Sequence, residues 1–258
     1  MTETYRRTEM MTIAAARALR NEDICFVGIG LPSAAANLAR LTHAPGITLV
    51  YEAGPIATRP DVLPLSIGDG ELCDTALTTV SVPEMFRYWL QGGRMTVGFV
   101  GGAQIDRFAN LNTTVIGPYA KPRARLPGGG GAPEIGSACG EIFIIMGQSR
   151  RSFVAQLDFI TSMGHGEGGD HRARLGLATK GPTRLVTDLC IFEPDPRTKE
   201  MSVTAIHPGI TRAEIAESTS WPVRFAATVA ETPSPTAHEL EVLRDLHART
   251  ARAHGQSA

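Results

Sequence analysis

Apolar runs and mixed polar stretches alternate along the first 150 residues and predict strands and helices in turn. Runs with the length of buried strands occupy residues 23–30, 47–52, 75–80, 94–102 and 141–147. Helices are predicted at residues 8–19, 31–40 and 82–93, the last two with proline in the first turn. Strands that alternate with helices and run into glycine predict an α/β fold with an open, mostly parallel sheet flanked by helices.

The pattern changes after residue 180. Residues 183–209 read as two strands around a turn rich in proline and aspartate, which predicts an added β-hairpin. Residues 236–253 place Leu240, Leu243 and Leu246 near one face of a C-terminal helix. With no repeat and no low-complexity linker, residues 1–258 are interpreted as a single domain.

Composition narrows the class of protein. Apolar residues make up 43% and charged residues 20% of the 258 residues, as expected for a globular protein with a core. The net charge of −1 gives no reason to expect nucleic-acid or membrane binding. No secretory signal and no apolar run of bilayer length is seen, so we expect a cytoplasmic protein. The four widely spaced cysteines are predicted to be buried free thiols.

Glycine clusters mark the strand ends where ligands bind in open α/β sheets. They are Gly28 and Gly30, Gly54, Gly101–Gly102, and the run Gly128–Gly131. Exposed backbone N–H groups in such turns suit phosphates and developing oxyanions. The dinucleotide fingerprint fails at Ser33, and no P-loop motif occurs. Each cluster alone is also compatible with an ordinary turn, but four together favour a binding site.

Glu52 is the sharpest candidate for chemistry. It follows the apolar strand 47–51 and precedes Gly54. A carboxylate that is partly desolvated at a strand end has a raised pKa and a raised reactivity as base or nucleophile. The alternative is a solvated, inactive glutamate in a turn.

Polar side chains follow the strand at residues 94–102. Gln104, Asp106, Asn110 and Asn112 are predicted to satisfy irregular backbone by side-chain hydrogen bonds. Gln104 lies nearest the strand end and is in addition a candidate for ligand contact.

Residues 163–171 contain His165, Glu167, Asp170 and His171 among glycines. Their spacing fits no common zinc template, and we predict a mobile lid or an edge of the substrate site instead of a metal centre. No metal is expected, and no serine-hydrolase elbow is present.

Several segments together resemble a known family. "GIGLP", "YEAG", "FVGGAQIDRFANLNTTVIG", "PGGGGA" and "FITSMGHGEGGDHRARLGL" are similar to the β subunits of class I CoA-transferases, glutaconate CoA-transferase in particular. The resemblance runs from about Thr8 to Pro208. It implies a fold of the CoA-transferase kind (NagB/RpiA-like), and a homologous α subunit as partner, commonly in an α2β2 heterotetramer. It implies no cofactor, because coenzyme A enters as part of the substrate.

The resemblance also implies roles for individual residues. Glu52 matches the glutamate that attacks an acyl-CoA and becomes a glutamyl-CoA thioester. The turn at Gly28–Gly30 and the "GGGGA" loop match segments near the acyl-CoA site. With the strand-end residues, the candidates for substrate and CoA binding are Gly28, Gly30, Gly54, Gly102, Gln104, Gly129, Gly130 and Gly131.

A divergent branch of the family is similar to this chain in "YEAGPIATRP" and "IGDGELCDTA". Its members act as hydrolases that open the last carbocyclic ring of a steroid-derived CoA thioester in bacterial cholesterol catabolism. The first hypothesis is therefore a β subunit of such a hydrolase. Water would attack a ring ketone β to the thioester, with Glu52 or an α-subunit glutamate as general base.

Two alternatives stay open. One is a true CoA-transferase that moves CoA between carboxylic acids, glutaconate or a 3-oxoacid, through a glutamyl-CoA intermediate. The other is a ligand-sensing domain without catalysis, for which the first 22 residues offer only a weakly basic arm.

Overall fold

The computed structural model describes residues 4–255. Its α-helices are α1 (Arg7–Arg17), α2 (Leu31–Leu41), α3 (Gly70–Asp74), α4 (Val82–Glu84), α5 (Ala132–Ala138), α6 (His171–Arg174), α7 (Arg212–Glu217) and α8 (Ala237–Ala253). A π-helical segment, Met85–Leu90, continues directly from α4.

Each apolar run that predicted a strand is longer than the strand found within it, and further strands occur outside these runs. They are β1 (Ile24–Val27), β2 (Thr48–Tyr51), β3 (Pro55–Ile56), β4 (Thr78–Thr79), β5 (Val97–Val100), β6 (Gln104–Ile105), β7 (Leu111–Asn112), β8 (Val115–Ile116), β9 (Ala124–Arg125), β10 (Glu141–Ile145), β11 (Pro182–Val186), β12 (Cys190–Pro194), β13 (Met201–Ile206) and β14 (Arg224–Glu231).

The described chain divides into two compact units. The first contains residues 4–99 and 234–255, and the second contains Val100–Pro233. The C-terminal helix therefore belongs with the N-terminal part of the chain. The single-domain assignment made from the sequence stays a prediction.

The first unit is built around parallel strands. β1 pairs in parallel with both β2 and β5, and the short strands β3 and β4 continue from β2 in antiparallel fashion. The last three residues of β1 and of β2 are buried, as expected of strands covered by helices.

The N-terminal and C-terminal helices of the first unit are joined by ion pairs. Arg17 of α1 donates to Glu239 at 2.7 Å, and Arg244 of α8 donates to Glu9 at 2.8 Å. Leu240, Leu243 and Leu246 are buried on one face of α8, as predicted. Thr236 caps this helix and forms a capping box with Glu239.

The second unit combines parallel and antiparallel pairs. β10 and β11 are parallel, β11–β12 and β12–β13 are antiparallel, and β14 lies parallel to β13. The predicted hairpin is formed by β12 and β13 around residues 195–200, but residues 183–209, predicted to hold two strands, also contain most of β11. Two small hairpins, β6–β7 and β8–β9, precede α5. The fold class, α/β with a mostly parallel sheet flanked by helices, is confirmed.

The cysteines differ from one another in exposure. Cys25, Cys139 and Cys190 are buried, and burial raises the pKa of Cys139 and of Cys190 to about 12. Cys73 is exposed, so the prediction of a buried thiol is wrong there. It lies in α3, whose five residues bury only Leu72. In the part of the chain that the structure describes, no helix is both long and apolar enough to cross a membrane.

Candidate functional site

Two neighbouring parallel strands end side by side in the first unit. Val27 of β1 is in register with Tyr51 of β2, so the next residues, Gly28 and Glu52, stand at the same edge of the sheet. Glu52 is half-buried in a turn, after three fully buried residues of β2. The structure therefore brings together the carboxylate and the first glycine turn, as the strand-end argument predicts.

The end of β2 is fixed by a buried hydrogen-bond cluster. The Tyr51 hydroxyl lies 2.7 Å from Ser33 Oγ, and Asn37 of the same helix, α2, donates to it at 3.5 Å. Burial raises the pKa of Tyr51 to about 12, so the phenol is neutral at physiological pH. The backbone that carries Glu52 is thereby tied to α2, a connection that no sequence pattern signalled.

Gly54 is required by packing. Its φ is +118°, and a Cβ at this position would overlap the carbonyl oxygen of Val80. The Gly54 carbonyl accepts from Val80 N at 3.1 Å, next to the antiparallel pairing of β3 with β4. The space beside Gly54 is thus filled by the Val80 backbone, whereas we expected from the sequence that this glycine leaves room for a ligand. A contact of Gly54 with substrate stays a prediction.

The Gly28–Gly30 turn leads from β1 into α2. A Cβ on Gly28 would contact the Pro32 ring at 3.4 Å, which is ordinary packing. Gly30 is exposed, has a φ of +80° and would have nothing within 4 Å of a Cβ. Glycine at this position allows the backbone conformation with which α2 begins.

Gln104 has a structural task in the second unit. Its side chain is buried, and its Oε1 accepts from Asn112 at 2.7 Å. Its amide nitrogen donates to Asp158 at 2.9 Å. Hydrogen bonds from Gly117 N–H and from Gln104 lower the pKa of Asp158. Sequence reasoning missed Asp158, which no local motif marks.

The neighbouring polar residues satisfy backbone groups, as predicted. Asp106 accepts from Phe108 N and Asn110 N at 2.9 and 3.0 Å. Burial raises the pKa of Asp106 against the lowering effect of these bonds. A Cβ on Gly102 would lie 3.1 Å from Leu111, so this glycine packs closely against the β6–β7 hairpin.

The Gly128–Gly131 loop joins β9 to α5. Gly128 N–H donates to Thr113 O at 2.9 Å, and Gly128 and Gly130 have φ of +106° and +49°. A Cβ on Gly129 would meet Thr161 at 3.3 Å, and Gly131 is buried at the helix start. Because Thr113 directly follows Asn112, the partner of Gln104, the loop and the Gln104 cluster are neighbours in the second unit.

The predicted site residues therefore fall into two groups. Gly28, Gly30, Glu52 and Gly54 lie in the first unit, at the ends of β1 and β2. Gly102, Gln104, Gly129, Gly130 and Gly131 lie in the second unit, around the β6–β7 hairpin and the start of α5. Their roles in binding stay predictions.

The first half of residues 163–171 is packed and hydrogen-bonded, which contradicts the prediction of a mobile lid there, while the alternative, an edge of the substrate site, stays a prediction. Asn110 Oδ1 accepts from Gly164 N at 2.9 Å and from Gly166 N at 3.0 Å. A Cβ on Gly164 would overlap the Ala109 carbonyl. His165 is buried, its Nε2 lies 2.7 Å from Pro182 O, and burial lowers its pKa to about 4.

Arg172 holds the same loop from its other end. It is buried and donates to Gly164 O at 2.8 Å, Gly136 O at 3.2 Å and Thr179 Oγ1 at 2.6 Å. Burial lowers its pKa. Within residues 4–255, no group of three His, Cys, Asp or Glu side chains is arranged to hold a metal ion. The expectation that no metal is used stays a prediction.

Comparison with protein families gives a match over most of the chain. The family described as Coenzyme A transferase matches residues 8–218. The chain is 63% identical over 252 residues to the β subunit of the 3-oxoadipate CoA-transferase of Pseudomonas knackmussii, covering 98% of this chain and 97% of that protein.

Two further relatives bear on the hypotheses. Identity to the β subunit of the glutaconate CoA-transferase of Acidaminococcus fermentans is 33%, covering 92% of this chain and 91% of that protein. The crystal structure of that glutaconate CoA-transferase matches with a TM-score of 0.87 at 30% identity, covering 93% of this chain and 94% of that one. Identity to the IpdB chain of the cholesterol ring-cleaving hydrolase of Mycobacterium tuberculosis is 25%, covering 92% of this chain and 93% of that protein.

Proposed function

Because this chain belongs to the Coenzyme A transferase family, we propose that it is the β subunit of a CoA-transferase acting on a dicarboxylic acid of the 3-oxoadipate kind. The observation that carries the proposal is the 63% identity to the β subunit of a 3-oxoadipate CoA-transferase over nearly the whole length of both chains. The ring-cleaving hydrolase, our first hypothesis from the sequence, has the weaker support of 25% identity.

The proposed chemistry places the nucleophile on Glu52. Its carboxylate attacks the thioester carbonyl of an acyl-CoA, the C–S bond breaks, and a mixed anhydride forms as CoA thiolate leaves. The thiolate then attacks the glutamyl carbonyl, forms a glutamyl-CoA thioester and releases the acyl group as a carboxylate. The acceptor acid takes CoA by the same two steps in reverse. Each step forms one bond to carbonyl carbon and breaks one.

The surroundings of Glu52 suit this role. Glu52 is a half-buried residue directly after a buried strand that holds its backbone in place, and partial desolvation of a carboxylate at such a position would raise its nucleophilicity. Backbone N–H groups of the glycine turns are candidates to stabilise the tetrahedral oxyanions, and loss of one such donor typically costs about 2.7–4 kcal/mol of barrier. Remote contacts with CoA would position the thioester.

A partner is part of the proposal. The two transferase relatives are each named as one of the subunits of a larger enzyme. We infer that this chain works with a homologous α subunit, in an α2β2 assembly by the family resemblance. All assays below therefore use the complex co-produced with that partner.

The test is CoA exchange by the complex. Given a dicarboxylyl-CoA donor and 3-oxoadipate as acceptor, we expect a new acyl-CoA to appear in equal amount to the free donor acid. The Glu52→Gln variant should lose at least about 10⁴-fold in turnover, as when a covalent nucleophile is removed. Glu22→Gln, at an exposed glutamate of the same unit, is the matched control.

The alternatives predict other outcomes. A complex that opens a cyclic β-keto acyl-CoA with water, and transfers CoA to no acid, would support the hydrolase and contradict the transferase. A complex that binds acyl-CoA tightly without turning it over would support the sensor.

A further inference from the structure

The β8–β9 hairpin of the second unit concentrates positive charge. Between Asn112 and Glu134 the charged residues are Lys121, Arg123 and Arg125, and all three are exposed. The chain as a whole has a net charge of −1, so this is a local feature. A surface with such a charge favours an anionic ligand.

Two exposed aromatic side chains lie beside these cations. Tyr119 is 58% exposed and Phe159 is 36% exposed, and their rings stack with centroids 5.6 Å apart and planes 25° apart. The Arg125 guanidinium lies 4.9 Å from the Tyr119 ring centroid and donates to Tyr119 O at 3.2 Å. Stacked aromatic rings exposed to solvent, with a guanidinium fixed on them, suit a ligand that has both a flat heterocycle and phosphate groups.

The hairpin is anchored to the glycine loop. Gly117, directly after β8, donates to Asp158, whose carboxylate also accepts from Gln104. After β9, Leu126 N donates to Thr114 O at 3.0 Å, and the chain runs directly into Gly128–Gly131. A ligand bound on the hairpin would therefore extend to the Gly128–Gly131 loop, which is predicted to bind acyl-CoA.

We propose that Tyr119, Lys121, Arg123, Arg125 and Phe159, here called the hairpin patch, bind the nucleotide end of coenzyme A. The adenine ring lies against the exposed aromatic surface, and the three cations hold the 3′-phosphate and the pyrophosphate. This inference rests on the proposed function, and it assigns residues to a part of the substrate that does not react. Contacts at the hairpin patch provide the remote binding energy that positions the thioester.

Two titrations of the complex test the patch without catalysis, with adenosine 3′,5′-bisphosphate and inorganic pyrophosphate as probes. Arg125→Gln should weaken binding of both probes by about tenfold, since it removes charge-assisted hydrogen bonds. Phe159→Ala should weaken the nucleotide by about tenfold and leave pyrophosphate unchanged, since it removes a stacking surface. Arg197→Gln, at an exposed arginine of the same unit, should change neither.

A ratio of two kcat/KM values separates loss of substrate positioning from a general loss of activity. In Arg125→Gln, the kcat/KM for acyl-CoA divided by that for acyl-pantetheine should fall by about tenfold, because acyl-pantetheine lacks the nucleotide. Comparison with acyl-dephospho-CoA shows whether the 3′-phosphate is the group held.

Three results would overturn the inference. These are unchanged affinity for the nucleotide in both variants, an equal loss with acyl-CoA and acyl-pantetheine, or failure of the variants to assemble with the α subunit, which would make the patch an interface between subunits. A wild-type complex that turns over no acyl-CoA would contradict the proposed function instead, and the titrations would still decide on the patch.

Discussion

Gly54 in the first unit and Gly130 in the second both have positive φ, and both stand in turns predicted to hold acyl-CoA. At Gly54 a Cβ would overlap the Val80 backbone, whereas at Gly130 nothing lies within 4 Å. The first glycine is needed by the protein's own packing, while the second is needed by backbone conformation alone and leaves open space beside it. A glycine in a strand-end turn is thus informative about ligands only once its neighbours are known.

The largest effect that this comparison predicts is on stability at Gly54. Gly54→Ala must displace the Val80 carbonyl and hold alanine at a φ of +118°, so we expect a loss of about 3–5 kcal/mol in the free energy of unfolding. Urea unfolding of the complex measures it. An unchanged midpoint would show that the turn between β2 and β3 adapts easily and that Gly54 is free to serve a ligand.

A smaller effect is expected from pH in the second unit. His165 has a pKa of about 4 in the folded chain because it is buried, against 6.5 when unfolded. The unfolded state therefore binds more protons between these values, and stability falls as pH is lowered from about 6.5 to 4, by up to about 3 kcal/mol from this group.

Urea unfolding midpoints at intervals across this pH range provide the measurement. The His165→Gln variant should show a shallower pH dependence than the parent protein, and His43→Gln, at an exposed histidine, controls for the substitution itself. An equally steep fall in the His165→Gln variant would mean that other groups cause it.

The smallest effect is at Gly130. Alanine there must adopt a φ of +49° but meets no neighbour, so Gly130→Ala should cost only about 1 kcal/mol of stability. Gly130→Asn, a residue that tolerates this conformation, should recover part of it. If either variant loses acyl-CoA affinity in titrations by much more than its loss of stability explains, the open space at Gly130 is used by the ligand.

The sequence predicted those features of the fold whose physical cause lies within a short stretch of the chain. The apolar runs of β1, β2 and β10 identified buried strands, and the end of the run at residues 47–51 placed Glu52 at the carboxyl end of its strand. The periodic leucines of α8 predicted its buried face.

Features that depend on distant partners could not be predicted in this way. Gly164 packs on Ala109, more than fifty residues earlier, and turns a glycine-rich segment that reads as mobile into a fixed one. The Arg17–Glu239 pair joins helices at the two ends of the chain. Strand β14 was missed because all eight of its residues are exposed or half-buried, so no run of buried apolar residues marks it.

The proposed mechanism depends on whether the Glu52 carboxylate takes CoA from an acyl-CoA. The most direct measurement is the mass of this chain after the complex is mixed with acyl-CoA without acceptor, followed by peptide mapping. We predict a mass increase equal to coenzyme A less one water, located at Glu52 and absent in Glu52→Gln. Full turnover without any adduct, or an adduct on another residue, would contradict it.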